Sequence, residues 1–193
     1  MVKNKNNSKE NPTMKEIVSF ARILLMCFVL VFLINNLFTR HVVVEGNSMW
    51  PTLHNEEEGF TNIFSVLFLK DINRFDIVVV KGKDTNTDWI KRIIGLPGEE
   101  IVYKNDELFI NGKYVEEPFL DEVYVKEVKQ QNHGVFTENF GPIVLGEDEY
   151  FLMGDNRIVS HDSRAVGCFG IHDIESKSLF VLQPFKKFRY VVQ

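Results

Sequence analysis

The 193-residue sequence predicts a mostly β protein: a single N-terminal transmembrane helix followed by an extracytoplasmic β-rich body that carries an inserted β subdomain. Three observations predict it. A run from Ile23 to Phe38, ILLMCFVLVFLINNLF, holds no charge; β-branched runs separated by turn signals follow Arg40; and a more polar stretch at about 105–147 interrupts those runs.

The apolar character reaches back to Ile17, so 17–38 offers 22 positions, against about 20 needed to cross ~30 Å of hydrocarbon. Arg22 lies near enough to one end to snorkel. A cleaved signal sequence would close on small residues of the A-x-A type, whereas this run closes on NNLFTRH. A buried core helix would show a polar face at a 3.6-residue period, and Ile23 to Ile34 shows none. An uncleaved anchor is the expectation.

Lys3, Lys5, Lys9, Lys15 and Arg22 outnumber Glu10 and Glu16 by three, although the whole chain carries −5. A basic tail on an acidic body places residues 1–16 in the cytoplasm and the body, 40–193, across the membrane. The acidic body excludes nucleic acid as a partner, since phosphate binding needs clustered Lys and Arg. The two cysteines, Cys27 in the apolar run and Cys168 in the body, imply no disulfide framework.

In the body, HVVVEG (41–46), FDIVVVKG (75–82), DWIKRIIG (88–95) and EYFLMG (149–154) read as strands. Asn111-Gly112, between ELFI and KYV, is a two-residue hairpin signal because both residues tolerate positive φ. No helix is expected after the anchor, and KEVKQQNHG (126–134) reads as loop. NIFSVLFL (62–69) reads either as a core strand or as a surface that touches lipid.

Three clusters can carry chemistry. Ser48 stands in GNSMWPTL beside a proline turn; a serine there either bonds the turn or acts as a nucleophile, and a nucleophile needs a base. None of the five histidines sits in a triad or zinc motif. A lysine serves as base only when burial lowers its pKa. Lys91 meets that need mid-strand in WIKRIIGLPGE, with Arg92 on the opposite face, unless it merely snorkels from an edge strand. The third cluster, GDNRIVSHDSRAVG (154–167), crowds acids, arginines and hydroxyls between glycines: a surface turn, or a loop able to orient a buried ammonium.

Taken together, GNSMWPTL, RFDIVVV (74–80), WIKRIIGLPGE and GDNRIVSHDSRAVG, in that order after one span, resemble the bacterial type I signal peptidases, and among them the short Gram-positive forms. The resemblance implies a membrane-bound serine endopeptidase with a LexA-like β core and an inserted cap. It would remove signal peptides from exported preproteins, cleaving after A-x-A-like sites, with the preprotein and the bilayer as partners and with no cofactor or metal.

It implies Ser48 as nucleophile, Lys91 as general base and Ser160 as the hydroxyl that hydrogen-bonds the lysine amine. Asp155 with Arg92, and Asp162 with Arg164, are implied as ion pairs near the site. The oxyanion is expected on the Ser48 backbone N–H. Some relatives add a serine hydroxyl two residues before the nucleophile, where this chain has Gly46, so a second donor is expected from the Gly46 peptide region or water. Phe75, where many relatives carry a small residue, is a second departure. The competing classes are a non-catalytic anchored binding protein, which would not need Ser48 and Lys91, and a self-cleaving regulator, which would carry a DNA-binding helical pair where this chain has a span.

Overall fold

The computed structural model describes residues 12–68, 71–84, 87–184 and 188–191, in two units, Met1–Phe38 and Thr39–Gln193. The first holds helix α1 (Pro12–Phe38). Its Met14–Leu33 window has a mean hydropathy of 2.4 and is not buried against protein. Twenty-seven residues at 1.5 Å each make a helix of about 40 Å.

The second unit contains, in order, β1 (Thr39–Val43), β2 (Glu58–Asn62), α2 (Phe64–Leu67), β3 (Ile77–Lys81), β4 (Asp88–Gly95), β5 (Glu100–Lys104), β6 (Glu107–Ile110), β7 (Lys113–Val115), α3 (Glu122–Gln131), β8 (Phe140–Val144), β9 (Glu149–Met153), α4 (Ser163–Val166), β10 (Phe169–Gly170), β11 (Ile174–Gln183) and β12 (Arg189–Val191). The larger sheet runs β1-β2-β11-β3-β4-β9-β10, with β12 paired to β11; the smaller runs β7-β6-β5-β8. Every pairing is antiparallel.

The expected strands form because their β-branched side chains pack on both faces of the larger sheet. Ile77 to Val80 and Ile93 to Ile94 are all at most 2% exposed. Val78, Val80, Ile93, Leu152 and Phe169 fill one side, while Val44, Met49, Leu53, Ile77 and Leu179 fill another region under the turn that carries Ser48. A third cluster joins Ile101, Tyr103 and Leu108 of the smaller sheet to Phe151 and Met153 of β9. The hairpin at Asn111 (φ 50) and Gly112 (φ 74) joins β6 to β7 as its sequence predicts.

Two expectations are corrected. The stretch from Asn62 is not a strand: β2 stops there because Asn62 Oδ1 accepts from Ser65 N (3.1 Å) and Asn62 Nδ2 donates to Ser65 Oγ (2.9 Å), which starts the helical turn α2. Ser65 and Val66 are buried, whereas Phe64, Leu67 and Phe68 are exposed; Leu69 lies outside the described residues. A helix also follows the anchor. In α3, Asp121 caps the first turn by accepting from Tyr124 N (2.7 Å), with Glu122 favourably placed beside it. Only Tyr124, Val125 and Val128 of its apolar stripe face inward, too narrow a stripe to stand out from the polar surroundings.

Candidate active site

Ser48 sits in a turn that leaves β1. The entry is fixed by Val44 N donating to Glu57 O and Glu56 N to Val44 O, both 2.8 Å. Met49 and Leu53, 1% and 0% exposed, pin the far side into the core. Gly46 takes φ +83, a conformation that favours glycine, and its N–H donates to Asn55 Oδ1 over 2.8 Å. That donor is therefore engaged by Asn55. The Ser48 N–H makes no hydrogen bond among the described residues.

β4 alternates its side chains across the sheet. Lys91, 4% exposed, points to Ser48, and its Nζ donates to Ser48 Oγ over 2.8 Å. Burial pushes the lysine pKa down to about 8, against the pull of Asp162 and Asp155. Near pH 8 a substantial share of the amine is then neutral, and the same 2.8 Å line can carry the serine proton to nitrogen.

Arg92, wholly buried, takes the other face. Its Nε and Nη2 donate to the two oxygens of Asp155 at 2.8 and 2.7 Å, and its Nη1 to Phe75 O at 2.7 Å. Phe75, the departure noted in the sequence, holds φ +71 and packs its ring 5.0 Å from that of Phe119, which lies 4.0 Å from the Arg92 guanidinium carbon. Asp155 also accepts from Thr52 Oγ1 over 2.5 Å, tying β4 to the turn that bears Ser48.

The 154–167 loop closes the site. Asn156 N donates to Ser48 O (3.0 Å), and its side-chain amide to Asn47 O (3.1 Å). Arg157, also wholly buried, donates to Gly154 O (3.1 Å), Tyr103 Oη (2.9 Å) and Glu117 Oε1 (2.5 Å), reaching the smaller sheet. Asp162 accepts from Arg164 Nε and Nη2, each at 2.8 Å, and from Gly154 N at 3.1 Å. Burial pushes its carboxyl up, but Arg164 and the donated hydrogen bonds win and hold it below the usual range.

Ser160 Oγ is buried and stands beside the Asp162 carboxylate, which it helps to hold charged; Lys91 Nζ is bonded to Ser48, not to it. The hydroxyl packs instead on Gly154. A Cβ there would stand 2.3 Å from both Ser160 Oγ and Ser48 O, so no side chain fits.

Two clefts meet at this pair. One, of about 370 Å³, runs between β1 and β4 as far as Arg40 and Asp88, which form an ion pair at 2.7 Å across its end. The other, of about 340 Å³, leaves Ser48 and Lys91 between Trp89 and the 154–167 loop. None of the histidines bonds Ser48 among the described residues; His161 faces Asp84 at 2.7 Å.

The sequence pattern pointed to Ser48, Lys91, Arg92, Asp155, Asp162 and Arg164, and all lie in this one region. It missed Thr52, Asn156 and the Arg157–Glu117 pair. GDNR itself was the available signal for two of those, since three consecutive polar residues that are all buried must each find a partner.

A serine hydroxyl on a buried amine of lowered pKa can serve a serine hydrolase that uses lysine as its base. The model of the family described as signal peptidase, peptidase S26, matches residues 17–183, and the chain belongs to that family. Signal peptidase I S of Bacillus subtilis (strain 168) is 42% identical over 189 residues, covering 97% of this chain and 98% of that protein. Signal peptidase I of Bacillus amyloliquefaciens is 42% identical over 185 residues, covering 95% and 97%. A crystal structure of a signal peptidase I from Enterococcus faecalis aligns with 55% of this chain and 96% of its own at 30% identity and a TM-score of 0.48.

Proposed function

We propose that the chain is a type I signal peptidase, a serine endopeptidase that removes N-terminal signal peptides from exported preproteins with Ser48 and Lys91 as its catalytic pair. The 2.8 Å contact between Lys91 Nζ and Ser48 Oγ carries the reading.

Neutral Lys91 takes the proton from Ser48 as Oγ bonds to the scissile carbonyl carbon and the C=O electron pair moves onto oxygen. The Ser48 N–H stabilises that oxyanion, with water as the second donor. The C–N bond then breaks, and the leaving amine takes the proton from Lys91. A water deprotonated by Lys91 hydrolyses the acyl ester and frees Ser48. Asp155–Arg92 and Asp162–Arg164 hold the strands and loop around the pair, and Ser160, against Gly154, keeps the lysine's surroundings packed.

The substrate lies extended in the cleft between β1 and β4 and adds as a strand. Among the described residues β1 pairs only with β2, and β9 pairs with β4 only from Arg92 onward, so both edges lining the cleft offer main-chain groups. Val44, Met49, Val79 and Ile90 line it closely enough to favour small side chains at the residue before the cut and two before that.

Residues 17–38 serve as a single-pass anchor, the tail 1–16 stays cytoplasmic, and the body from residue 40, with its cap at about 105–147, works outside the cytoplasm. Exposed Phe64, Leu67 and Phe68 suit contact with the bilayer.

The test is cleavage of a preprotein with an A-x-A site by membranes bearing the wild type, Ser48→Ala or Lys91→Ala. Both variants lose cleavage; activity kept by either overturns the pair. Protease added outside spheroplasts digests the body and spares the tail if the orientation is right.

A further inference from the structure

The 154–167 loop commits its first four residues and its Asp162–Ser163 corner to the interior. Residues 154–157 are buried, as are Asp162 and Ser163. Between these stretches Ile158 and Val159 break the pattern, 51% and 61% exposed. Their backbone is fixed, since Val159 N and Ser160 N both donate to Asn156 O, at 3.2 and 3.0 Å. Two β-branched side chains held outward by a rigid turn contribute nothing to the core. One of them, Val159, lines the 340 Å³ cleft that begins at Ser48 and Lys91.

Across that cleft stands Trp89, whose ring meets His161 edge-on at 5.3 Å, and His161 is braced by Asp84. The cleft thus has an aliphatic wall, an aromatic wall and the reacting pair at its mouth. The long cleft between β1 and β4 leads away from the same pair in another direction. A peptide cut at Ser48 needs room on both sides of its scissile bond, and its strand-like acyl side occupies the cleft with two strand edges. The leaving amine must meet Lys91 Nζ, which lines the second cleft too.

Resting on the Ser48–Lys91 reading, we propose that Val159, flanked by Ile158 and faced by Trp89 and His161, forms the subsite for the first residue on the leaving side of the cut, and that it favours an aliphatic side chain there. Val159 is a specificity residue, not part of the proton transfer.

The test uses the full-length enzyme in detergent and in vesicles of neutral phospholipid, with two peptide panels. One varies the first leaving residue (Gly, Ser, Val, Leu) behind a constant A-x-A; the other varies the residue before the cut (Ala, Ser, Val) with a constant leaving side. The wild type is expected to prefer Val or Leu over Gly. Val159→Ser is expected to reduce that kcat/KM ratio about tenfold, the low end of the range set by small changes in an apolar pocket, with Ile158→Ser giving a smaller change in the same sense. The Ala-to-Val ratio at the residue before the cut keeps its wild-type value in both.

No preference in the wild type, an unchanged ratio in Val159→Ser, or a change in the other panel overturns the subsite. A uniform fall confined to vesicles also overturns it and assigns Val159 to lipid contact. Cleavage surviving in Ser48→Ala would instead overturn the Ser48–Lys91 reading itself.

Discussion

The amide of Asn156 donates to the carbonyl of Ser48 across 3.0 Å, so the peptide group of the proposed nucleophile is held by the loop that also brings Gly154 against it. The hydroxyl is positioned from behind, through its main chain, as well as by Lys91 in front. Gly154→Ala tests how tight that backing is. The new methyl would sit 2.3 Å from Ser48 O and from Ser160 Oγ, and the backbone carbonyl has to move. A displacement of about 1 Å at a catalytic group costs roughly a hundredfold, so kcat should fall by about that factor. Adding Ser160→Ala relieves only the hydroxyl clash and should restore little of it, measured by cleavage in detergent.

The pH profile follows from Lys91. The proposed pair needs the lysine amine neutral, and its pKa is lowered to about 8 by burial. The kcat/KM value should therefore rise with pH along a single-proton limb centred near 8 in the free enzyme. A bound peptide excludes more water, so the limb in kcat should lie at or below the one in kcat/KM. Replacing His161, the histidine that lines the second cleft, should leave the limb in place.

The same shift affects stability through the difference between the folded and unfolded chain. In the unfolded chain the lysine keeps its proton up to about 10.5, whereas in the folded chain it gives it up near 8. Between those values the unfolded state binds more protons, so stability rises with pH through that window and carries the full penalty below it. The penalty is on the order of 3 kcal/mol. Lys91→Met, which fills similar space without a charge, should be more stable than the wild type at pH 7 and should lose most of the advantage by pH 10. Denaturant titrations at the two pH values measure it.

Asp155 and Arg92 are both at most 1% exposed. Asp155→Ala strands a buried guanidinium and releases Thr52 from its 2.5 Å bond, and removing one partner of a buried pair costs about 3–5 kcal/mol. Urea midpoints should fall accordingly. Thr52→Val, which keeps the ion pair, should cost only about 1–2 kcal/mol.

Much of this was open to reading in the sequence because it depends on local pattern. β-branched runs gave the larger sheet, Asn111-Gly112 gave a hairpin, and the alternation in WIKRIIG put Lys91 and Arg92 on opposite faces. Chemistry was legible only jointly: neither Ser48 nor Lys91 is unusual alone, and each gained meaning from the other blocks. Thr52–Asp155 and Glu117–Arg157 stayed hidden because the partners stand 103 and 40 residues apart, and no local rule links them. The strand alternative at Phe64 fails: an apolar run of that length has no period to distinguish helix from strand, and the Asn62–Ser65 side-chain bonds decide it.

The adjacency of Lys91 and Arg92 has a consequence for folding quality. Successive residues of a strand face opposite ways, so a one-residue slip of β4 against β3 would swing Lys91 into the sealed interior and offer the guanidinium of Arg92 to Ser48. Arginine holds its proton at any physiological pH and cannot act as base. A mis-registered molecule would thus be catalytically dead while still presenting a positive charge to the serine. The native register, Val78 opposite Lys91 and Ile77 opposite Arg92, is guarded by the demand of Asp155 for a two-pronged partner. The two-pronged Asp155–Arg92 pair thereby favours the alignment in which the Lys91 amine reaches the Ser48 hydroxyl.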